Sequence, residues 1–507
     1  MSMPAEISTS AITLSELLEG YAVAPAIPVS GISSDSRALS AGDIFFACRR
    51  AGGHGLDYVD QAIRAGAAAV VWDESTGTPH SADASVPLIA VKHLAECLGE
   101  IANRFFGYPS QEVSVFAVTG TNGKTTVAML VAEALSLLGK PCGYIGTLGS
   151  GVGALTSSGM TTPDCIDLHR RLASFREQGA NFAAVEVSSH ALVQDRINGL
   201  LVHTAAFTNL SRDHLDYHES MADYGAAKSR LFYREGTAAR IVNVDSDFGR
   251  ELALHLGDGA TLVSSQGAAI ASASRFVAAT SVTPEISGSR IALASSWGSA
   301  EFLLPLLGDF NVGNALVALA ALLHWDVPLP VACEALSRVT PPAGRMQQVT
   351  PETSAVIPAV IVDFAHTPAG LEAVLKTLRT HCRGELWCVF GCGGDRDRGK
   401  REDMGRVAAT LADRVVVTSD NPRSESPAAI IDDITAGIER DDVVTIEDRA
   451  AAIAYAIRNA AAHDTVLIAG KGHEPYQIVG QKKLPFLDYD VAAGNLLARA
   501  GQAGGGK

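Results

Sequence analysis

Short apolar runs recur along this chain, separated by stretches in which apolar residues return every three or four positions. That alternation predicts strands followed by helices, and hence mainly parallel sheets. Near the N-terminus the runs Asp43 to Cys48 (DIFFAC) and Ala67 to Trp72 (AAAVVW), with a helix expected over 57–65, outline a small α/β module. A second region opens at Val113 with VSVFAVTG and continues through runs at 182–189, 203–210 and 239–245. Between Arg275 and Leu307 the runs crowd together, which predicts an antiparallel excursion before a helix beginning near Asn311. The PPAG turn at Pro341 to Gly344 marks a further boundary. Beyond it, strands expected at 359–363, 385–390, 414–418, 443–446 and 465–469 alternate with helices at 368–381, 400–411, 427–438 and 449–461. The first of these helices places Leu371, Val374, Leu375 and Leu378 on one face. The pattern therefore predicts an α/β chain of three domains: a small N-terminal domain over 1–111, a central domain over 112–340, and a Rossmann-like domain over 341–507. The tail GQAGGGK is expected to be disordered.

The strongest chemical signal sits where the second region's first strand ends, in Val118-Thr119-Gly120-Thr121-Asn122-Gly123-Lys124-Thr125-Thr126. Glycines there let backbone N–H groups converge on phosphate oxygens, Lys124 offsets β/γ charge, and the Thr125 hydroxyl can reach Mg2+. The first glycine of the full phosphate-loop pattern is replaced by Val118, and an ordinary βα turn is the alternative. A magnesium nucleotide needs further oxygen ligands, and Glu186 closes the strand FAAVE on the expected ligand edge of the sheet. His214, within TNLSRDHLD after the next strand, is a second candidate ligand; a polar loop with capping aspartates is the alternative there.

The last region ends three strands in polar loops: Gly391 to Arg396, Asp420-Asn421-Pro422-Arg423, and Gly470 to Glu474. Ligands of open parallel sheets bind beyond the carboxyl ends of strands, so Arg396, Arg423, Asp420 and Glu474 are expected to converge. Two guanidinium forks and two carboxylates suit a zwitterion, against the alternative of a structural ion-pair network. Composition narrows the partners. At 507 residues with a net charge of -15, the chain is no duplex-coating nucleic-acid binder, so an anionic ligand must be held locally. No apolar run approaches the ~20 residues of a membrane helix, so no membrane insertion is expected. Eight cysteines without a CxxC pair, and no leader-like N-terminus, suggest reduced thiols in a cytoplasmic protein.

TGTNGKTT, the Thr161-Thr162-Pro163 turn, EVSSHAL, TNLSRDHLDYH, YGAAKSRLF and GRM at 344–346 resemble the Mur ligases of peptidoglycan synthesis. GCGGDRD, DNPR and GKGHE are similar to the branch that adds meso-diaminopimelate. The resemblance runs from about residue 33 to 485. It implies a three-domain, ATP-dependent amide ligase acting on a UDP-N-acetylmuramoyl-dipeptide, with Mg2+ as cofactor and ATP as co-substrate, working as a monomer. Carried over by position, Ser34 and Ser36 would touch the UDP end, and Thr161, Thr162, Ser188, Gln194 and Arg196 would hold the muramoyl-dipeptide. Gly120, Thr121, Asn122, Gly123, Lys124, Thr125, Thr126, Asn311, Asn314, Arg345 and Asp363 would surround ATP. Lys228 matches a lysine that the family carboxylates to make a metal ligand beside Thr125, Glu186 and His214; an unmodified lysine is by default a surface residue. Lys124, Glu186, His214 and Lys228 would then carry the catalysis. Arg396, Asp420, Asn421, Pro422, Arg423, Gly470 and Glu474 would bind diaminopimelate, with Arg423 excluding lysine because lysine lacks the distal carboxylate. One departure lies at Ala51 to Asp57, where family members commonly have an Asp-Gly pair. A lysine- or D-Ala-D-Ala-adding ligase, or a P-loop regulator hydrolysing ATP without an amino acid, are the competing readings.

Overall fold

In the computed structural model the described residues are 12–50, 53–79, 86–156, 159–267, 270, 273–285, 288–351 and 356–504. Their contacts divide the chain into two units that interleave in sequence. The first takes residues 1–119, 135–206 and 227–240; the second takes 120–134, 207–226 and 241–507.

In the first unit, a four-stranded parallel sheet runs in the order Gly31–Ser33, Asp43–Ala47, Ala69–Asp73, Leu88–Val91. The two inner strands are buried at every position, as a sheet covered on both faces requires. The helix Leu94–Phe105 covers one face with Leu98, Ile101, Ala102 and Phe105. Further strands follow the order Thr204–Phe207, Ser114–Thr119, Phe182–Glu186, Cys142–Gly146, Gly149–Val152. Phe182–Glu186 pairs in parallel with both neighbours, and its last residue lies opposite Val118. The hairpin loop at 51–57 is described only from Gly53: Gly53–His54 pairs with Arg49–Arg50, and the His54 ring accepts from Leu56 N at 3.0 Å.

The second unit contains the antiparallel excursion. Ala260–Ser264 pairs in parallel with Phe276–Glu285, which pairs antiparallel with Gly288–Ser295, and that with Gly298–Leu304. The helix Asp309–His324 follows, buried on every side from Asn311 to Leu323. A six-stranded sheet then runs in the order Gln347–Gln348, Ala359–Asp363, Thr465–Ala469, Leu386–Phe390, Arg414–Val417, Val444–Thr445, parallel except for the first strand. Alternate strand residues serve opposite faces. Ile361, Cys388, Phe390, Val415 and Val417 pack under the helices Pro368–His381, Gly399–Leu411 and Pro427–Thr435. Val360, Val362, Trp387, Val389 and Val416 meet Arg449–Asn459 and Asp488–Gly504. Pro368–His381 starts where its sequence says: Thr367 caps it by accepting from Gly370 N, and Pro368 fills the first turn, where an N–H is dispensable.

The tail departs from expectation. Residues 501–504 complete the helix Asp488–Gly504 instead of fraying, and 505–507 lie outside the described residues. Burial of Ala492 and Leu496 against the sheet anchors that helix, and packing overrides the weak local propensity.

The same helix is locked at its start by a bidentate ion pair in which Arg449 donates to both Asp488 oxygens at 2.7 and 2.8 Å and to the Ala469 carbonyl at 2.9 Å. Both side chains are fully buried. Removing one partner strands the other charge in the core, which typically costs about 3–5 kcal/mol. Asp488→Ala is expected to lower the unfolding free energy by about that amount in urea melts, whereas Glu402→Ala, which breaks an exposed pair with Arg406, is expected to cost under about 1 kcal/mol.

Candidate active site

The strand Ser114–Thr119 leads into the glycine loop, and the helix Lys124–Leu137 follows. Gly120 and Gly123 both take positive φ, +151° and +85°, and neither tolerates a side chain. A Cβ on Gly123 would meet Asn314 Oδ1 at 2.3 Å, and one on Gly120 would meet Thr208 Oγ1 at 1.9 Å. The segment after Phe207 braces the loop. Thr208 Oγ1 donates to the Asn122 carbonyl at 2.6 Å, Asn122 N donates to Asn209 Oδ1 at 3.0 Å, and Thr121 N donates to the Asn209 carbonyl at 2.8 Å. Lys124 Nζ donates to the carbonyls of Gly120 and Thr121, at 2.9 and 2.8 Å, so its ammonium curls over the loop. Thr125 and Thr126 are buried, and Arg345 Nη2 donates to Thr125 Oγ1 at 3.1 Å. Arg345 stacks on Phe364 at 4.6 Å. Asp363 acts on its turn: it accepts from Met346 N and Ala365 N, both at 2.7 Å, while burial raises the pKa of its carboxyl. Asn314 donates to Asn311, which donates to the Leu307 carbonyl. The residues assigned to ATP are thus brought together, except that Asp363 faces backbone amides.

Glu186 is fully buried in the first unit. It accepts from Tyr144 Oη, and from Thr147 N and Oγ1 at 3.0 and 3.1 Å. A Cβ on Gly146 would collide with it. Thr162 Oγ1 donates to the Glu186 carbonyl at 2.9 Å and accepts from Ser188 N at 3.1 Å, Thr161 shares a hydrogen bond with Thr147, and Arg196 joins Gln194 to the Thr162 carbonyl. The five residues assigned to the muramoyl-dipeptide therefore form one network around Glu186. Ser36 is buried just beyond the strand Gly31–Ser33, and Ser34 is half-buried in the same turn. Lys228 overturns the surface default: only 1% of it is exposed, inside the helix Met221–Ser229.

His214, at φ +55°, lies in the second unit beside Asp213 at 3.5 Å. Burial pushes the Asp213 carboxyl up, but the hydrogen bond and charge of His366, with the charges of His214 and Lys400, outweigh it and hold it well below the carboxylate range. Among the described residues no three His, Cys, Asp or Glu side chains form a metal-holding group, and the expected ligand set contains only two of those types.

At the carboxyl edge of the six-stranded sheet the expected charges gather. Arg423 feels Arg396, Asp420 and Glu474, and burial followed by the Arg396 charge lowers its pKa. Arg423 Nη1 donates to the Gly394 carbonyl at 2.8 Å, and among the described residues nothing hydrogen-bonds its Nε and Nη2, the edge that a carboxylate takes bidentately. A Cβ on Gly470 would lie 2.6 Å from Asp420 Oδ2, and a Cβ on Gly394 would collide with the Pro422 carbonyl. Asn421 is spent inside the protein: its amide donates to Glu474 at 2.7 Å, and its Oδ1 accepts from Lys471 Nζ and Ile478 N. Sequence reasoning passed over Lys471, which is fully buried and pairs with Glu474 at 3.0 Å. It also passed over Arg401, buried under this edge, which grips Glu425 and Asp433. A lysine or arginine spaced within a turn of acidic residues gave no hint of burial.

These features define a P-loop α/β protein whose polar groups collect at strand ends. Three family models match in chain order: the Mur ligase family catalytic domain over residues 28–106, the Mur ligase middle domain over 118–322, and the Mur ligase glutamate ligase domain over 344–472. The chain is 46% identical to the UDP-N-acetylmuramoyl-L-alanyl-D-glutamate--2,6-diaminopimelate ligase of Alkalilimnicola ehrlichii, over 92% of this chain and 94% of that protein. It is 45% identical to the enzyme of the same name from Pseudomonas aeruginosa, over 92% and 95%. A solved structure bearing that enzyme name superposes with a TM-score of 0.68 at 33% identity, covering 97% of this chain and 99% of that one. A MurF from Acinetobacter baumannii shares the fold at a TM-score of 0.66 and 19% identity, over 99% and 100%. The chain belongs to the Mur ligase family.

The brace under the edge titrates. The hydrogen bond from Arg401, with smaller help from Asp395 N and the Arg401 charge, holds Glu425 at about 2 against an ordinary 4.5. A folded-state pKa below the unfolded one contributes stability that is complete above 4.5 and lost as pH falls through about 2. The gap in unfolding free energy between wild type and Glu425→Gln should accordingly be widest above 4.5 and shrink toward 2, followed by urea melts; a gap independent of pH would contradict the assignment.

Proposed function

We propose that the chain is the ATP-dependent ligase that adds meso-2,6-diaminopimelate to the D-Glu of UDP-N-acetylmuramoyl-L-Ala-D-Glu in peptidoglycan precursor synthesis. The carrying observation is that relatives bearing that enzyme name match over more than nine-tenths of the chain, with the Arg423 fork presented at a strand end. Three domains, 1–111, 112–340 and 341–507, agree with the spans of the three family models. A cytoplasmic monomer fits a reaction that consumes ATP and a nucleotide-linked sugar, and the eight cysteines are all free thiols.

An amide does not form from a carboxylate until its oxygen becomes a leaving group. The γ-phosphoryl of ATP passes to the D-Glu carboxylate, giving an acyl phosphate and ADP; the neutral amine of diaminopimelate attacks its carbonyl carbon; and phosphate leaves from the tetrahedral adduct. Gly120 to Thr126 would hold the triphosphate. Lys124 moves from the loop carbonyls it now contacts onto the phosphates, and Arg345, positioned by Asp363, adds a second cation. Asn311 and Asn314 back the loop. Ser34 and Ser36 would hold the UDP end, while Thr161, Thr162, Ser188, Gln194 and Arg196 would hold the dipeptide. By the family resemblance, Thr125, Glu186, His214 and carboxylated Lys228 would be the residues to hold Mg2+, and a buried lysine fits that conversion because carboxylation would turn a costly buried ammonium into a ligand. Mg2+ there would offset the repulsion between triphosphate and carboxylate.

Arg396 and Arg423 take the distal carboxylate of diaminopimelate, and Asp420 with Glu474 take its ammonium. Lysine would leave a half-buried guanidinium unpaired, and truncating one partner of a buried charged hydrogen bond typically costs about 2–5 kcal/mol. Phosphate release is expected to require both the UDP-dipeptide and diaminopimelate, and Arg423→Ala is expected to lower kcat/KM for diaminopimelate by about a hundredfold or more at unchanged ATP affinity. A preference for lysine or D-Ala-D-Ala, or hydrolysis without any amino acid, would replace this reading with one of its competitors.

A further inference from the structure

Arg423 sits at φ +52°, a left-handed backbone that costs a non-glycine residue roughly 1–2 kcal/mol and persists only where its surroundings enforce it. Here the enforcement comes from an exposed hairpin, Tyr476–Val479 paired with Lys482–Pro485. Arg423 N donates to the Ile478 carbonyl at 3.1 Å, and Gly480 N donates to the Arg423 carbonyl at 2.7 Å, so the hairpin edge clamps the residue from both sides. The hairpin has little apolar burial of its own: Lys482 to Pro485 are exposed throughout, Leu484 among them. Polar anchors must therefore fix its register. Gln477 Nε2 donates to the Asp420 carbonyl at 2.7 Å and to Ser419 Oγ at 3.3 Å, and Ile478 N donates to Asn421 Oδ1 at 2.9 Å.

Resting on the diaminopimelate reading above, we propose that Gln477 is a positioning residue: by tying the hairpin to the Ser419 to Asn421 segment, it holds Arg423 in the conformation that aims its Nε and Nη2 edge at the distal carboxylate. The amide N–H is the operative group, because a carbonyl such as that of Asp420 can only accept. Gln477 itself touches no reacting atom; its effect reaches the amino acid through Arg423.

The test compares wild type with Gln477→Ala and with Gln477→Glu, which keeps the side chain's length and shape but cannot donate when ionised. Expected for both is a rise of about tenfold in KM for diaminopimelate, the size of one lost hydrogen bond of ~1.4 kcal/mol, with KM for ATP and the UDP-dipeptide within twofold and Tm near wild type. The preference for diaminopimelate over lysine should fall by a similar factor. Hydrogen–deuterium exchange, read on the full chain without substrates, should speed up at the amides of Arg423 and Gly480. Wild-type KM, selectivity and exchange in Gln477→Glu would overturn the proposal, as would an equal loss in all three KM values with a fallen Tm. Should wild type add some other amino acid, the functional reading fails on that result alone, and the exchange at Arg423 still decides whether Gln477 positions it.

Discussion

A glycine loop keeps a single shape only if its carbonyls, amides and side chains are engaged, and the segment 208–211 does that engaging here. Thr208 and Asn209 donate to the Asn122 carbonyl, Asn209 accepts from the amides of Thr121 and Asn122, and the Thr121 hydroxyl donates to the Ser211 carbonyl at 3.2 Å. Asn314 packs against Gly123 from the buried helix Asp309–His324. The loop is therefore shaped before any ligand arrives, and the cost of ordering it does not fall on binding. The ammonium of Lys124 adds to that order by donating to two of the loop carbonyls.

In a chain of net charge -15, four cations are taken out of solvent by the fold. Arg449, Arg401, Lys471 and Lys228 are each no more than 1% exposed. Two of them are structural in a direct sense. Arg449 joins the start of one helix to the start of another through Asp488, and Arg401 links Glu425, Asp433 and the Gly393 carbonyl beneath the edge that carries Arg396 and Arg423. Fixed charges under a strand-end loop keep it from drifting, and a binding edge needs its loops fixed to within fractions of an ångström.

Much of this was legible in one dimension because the signals are local. A helix capped by Thr367, opened by Pro368 and striped at Leu371, Val374, Leu375 and Leu378 declares its own ends, and the observed Pro368–His381 matches the expected span. The strands 359–363 and 465–469 were equally plain as short β-branched runs. What escaped depends on distant partners. Lys228 looks like any helical lysine until the fold buries it; Asn421 looks like a ligand residue until Lys471, Glu474 and Ile478 claim its amide. The hairpin at 476–485 has alternation too short to register, and the tail helix runs through glycines because Leu496 and Ala492 are held by a sheet that no local rule can see.

The charge pattern at the amino-acid edge changes accordingly. Two arginines facing two carboxylates look neutral in the sequence, and such a set would greet an ammonium and a carboxylate with equal favour. In the folded chain Lys471 pairs with Glu474, and the charges that reach Arg423 are those of Arg396, Asp420, Glu474 and Asp395. Three cations, Arg396, Arg423 and Lys471, therefore stand among three carboxylates, Asp395, Asp420 and Glu474, so selectivity at this edge has to come from the direction of a fork and not from net charge. On the proposed reading the Arg423 fork would supply that direction by matching a distal carboxylate with two parallel hydrogen bonds.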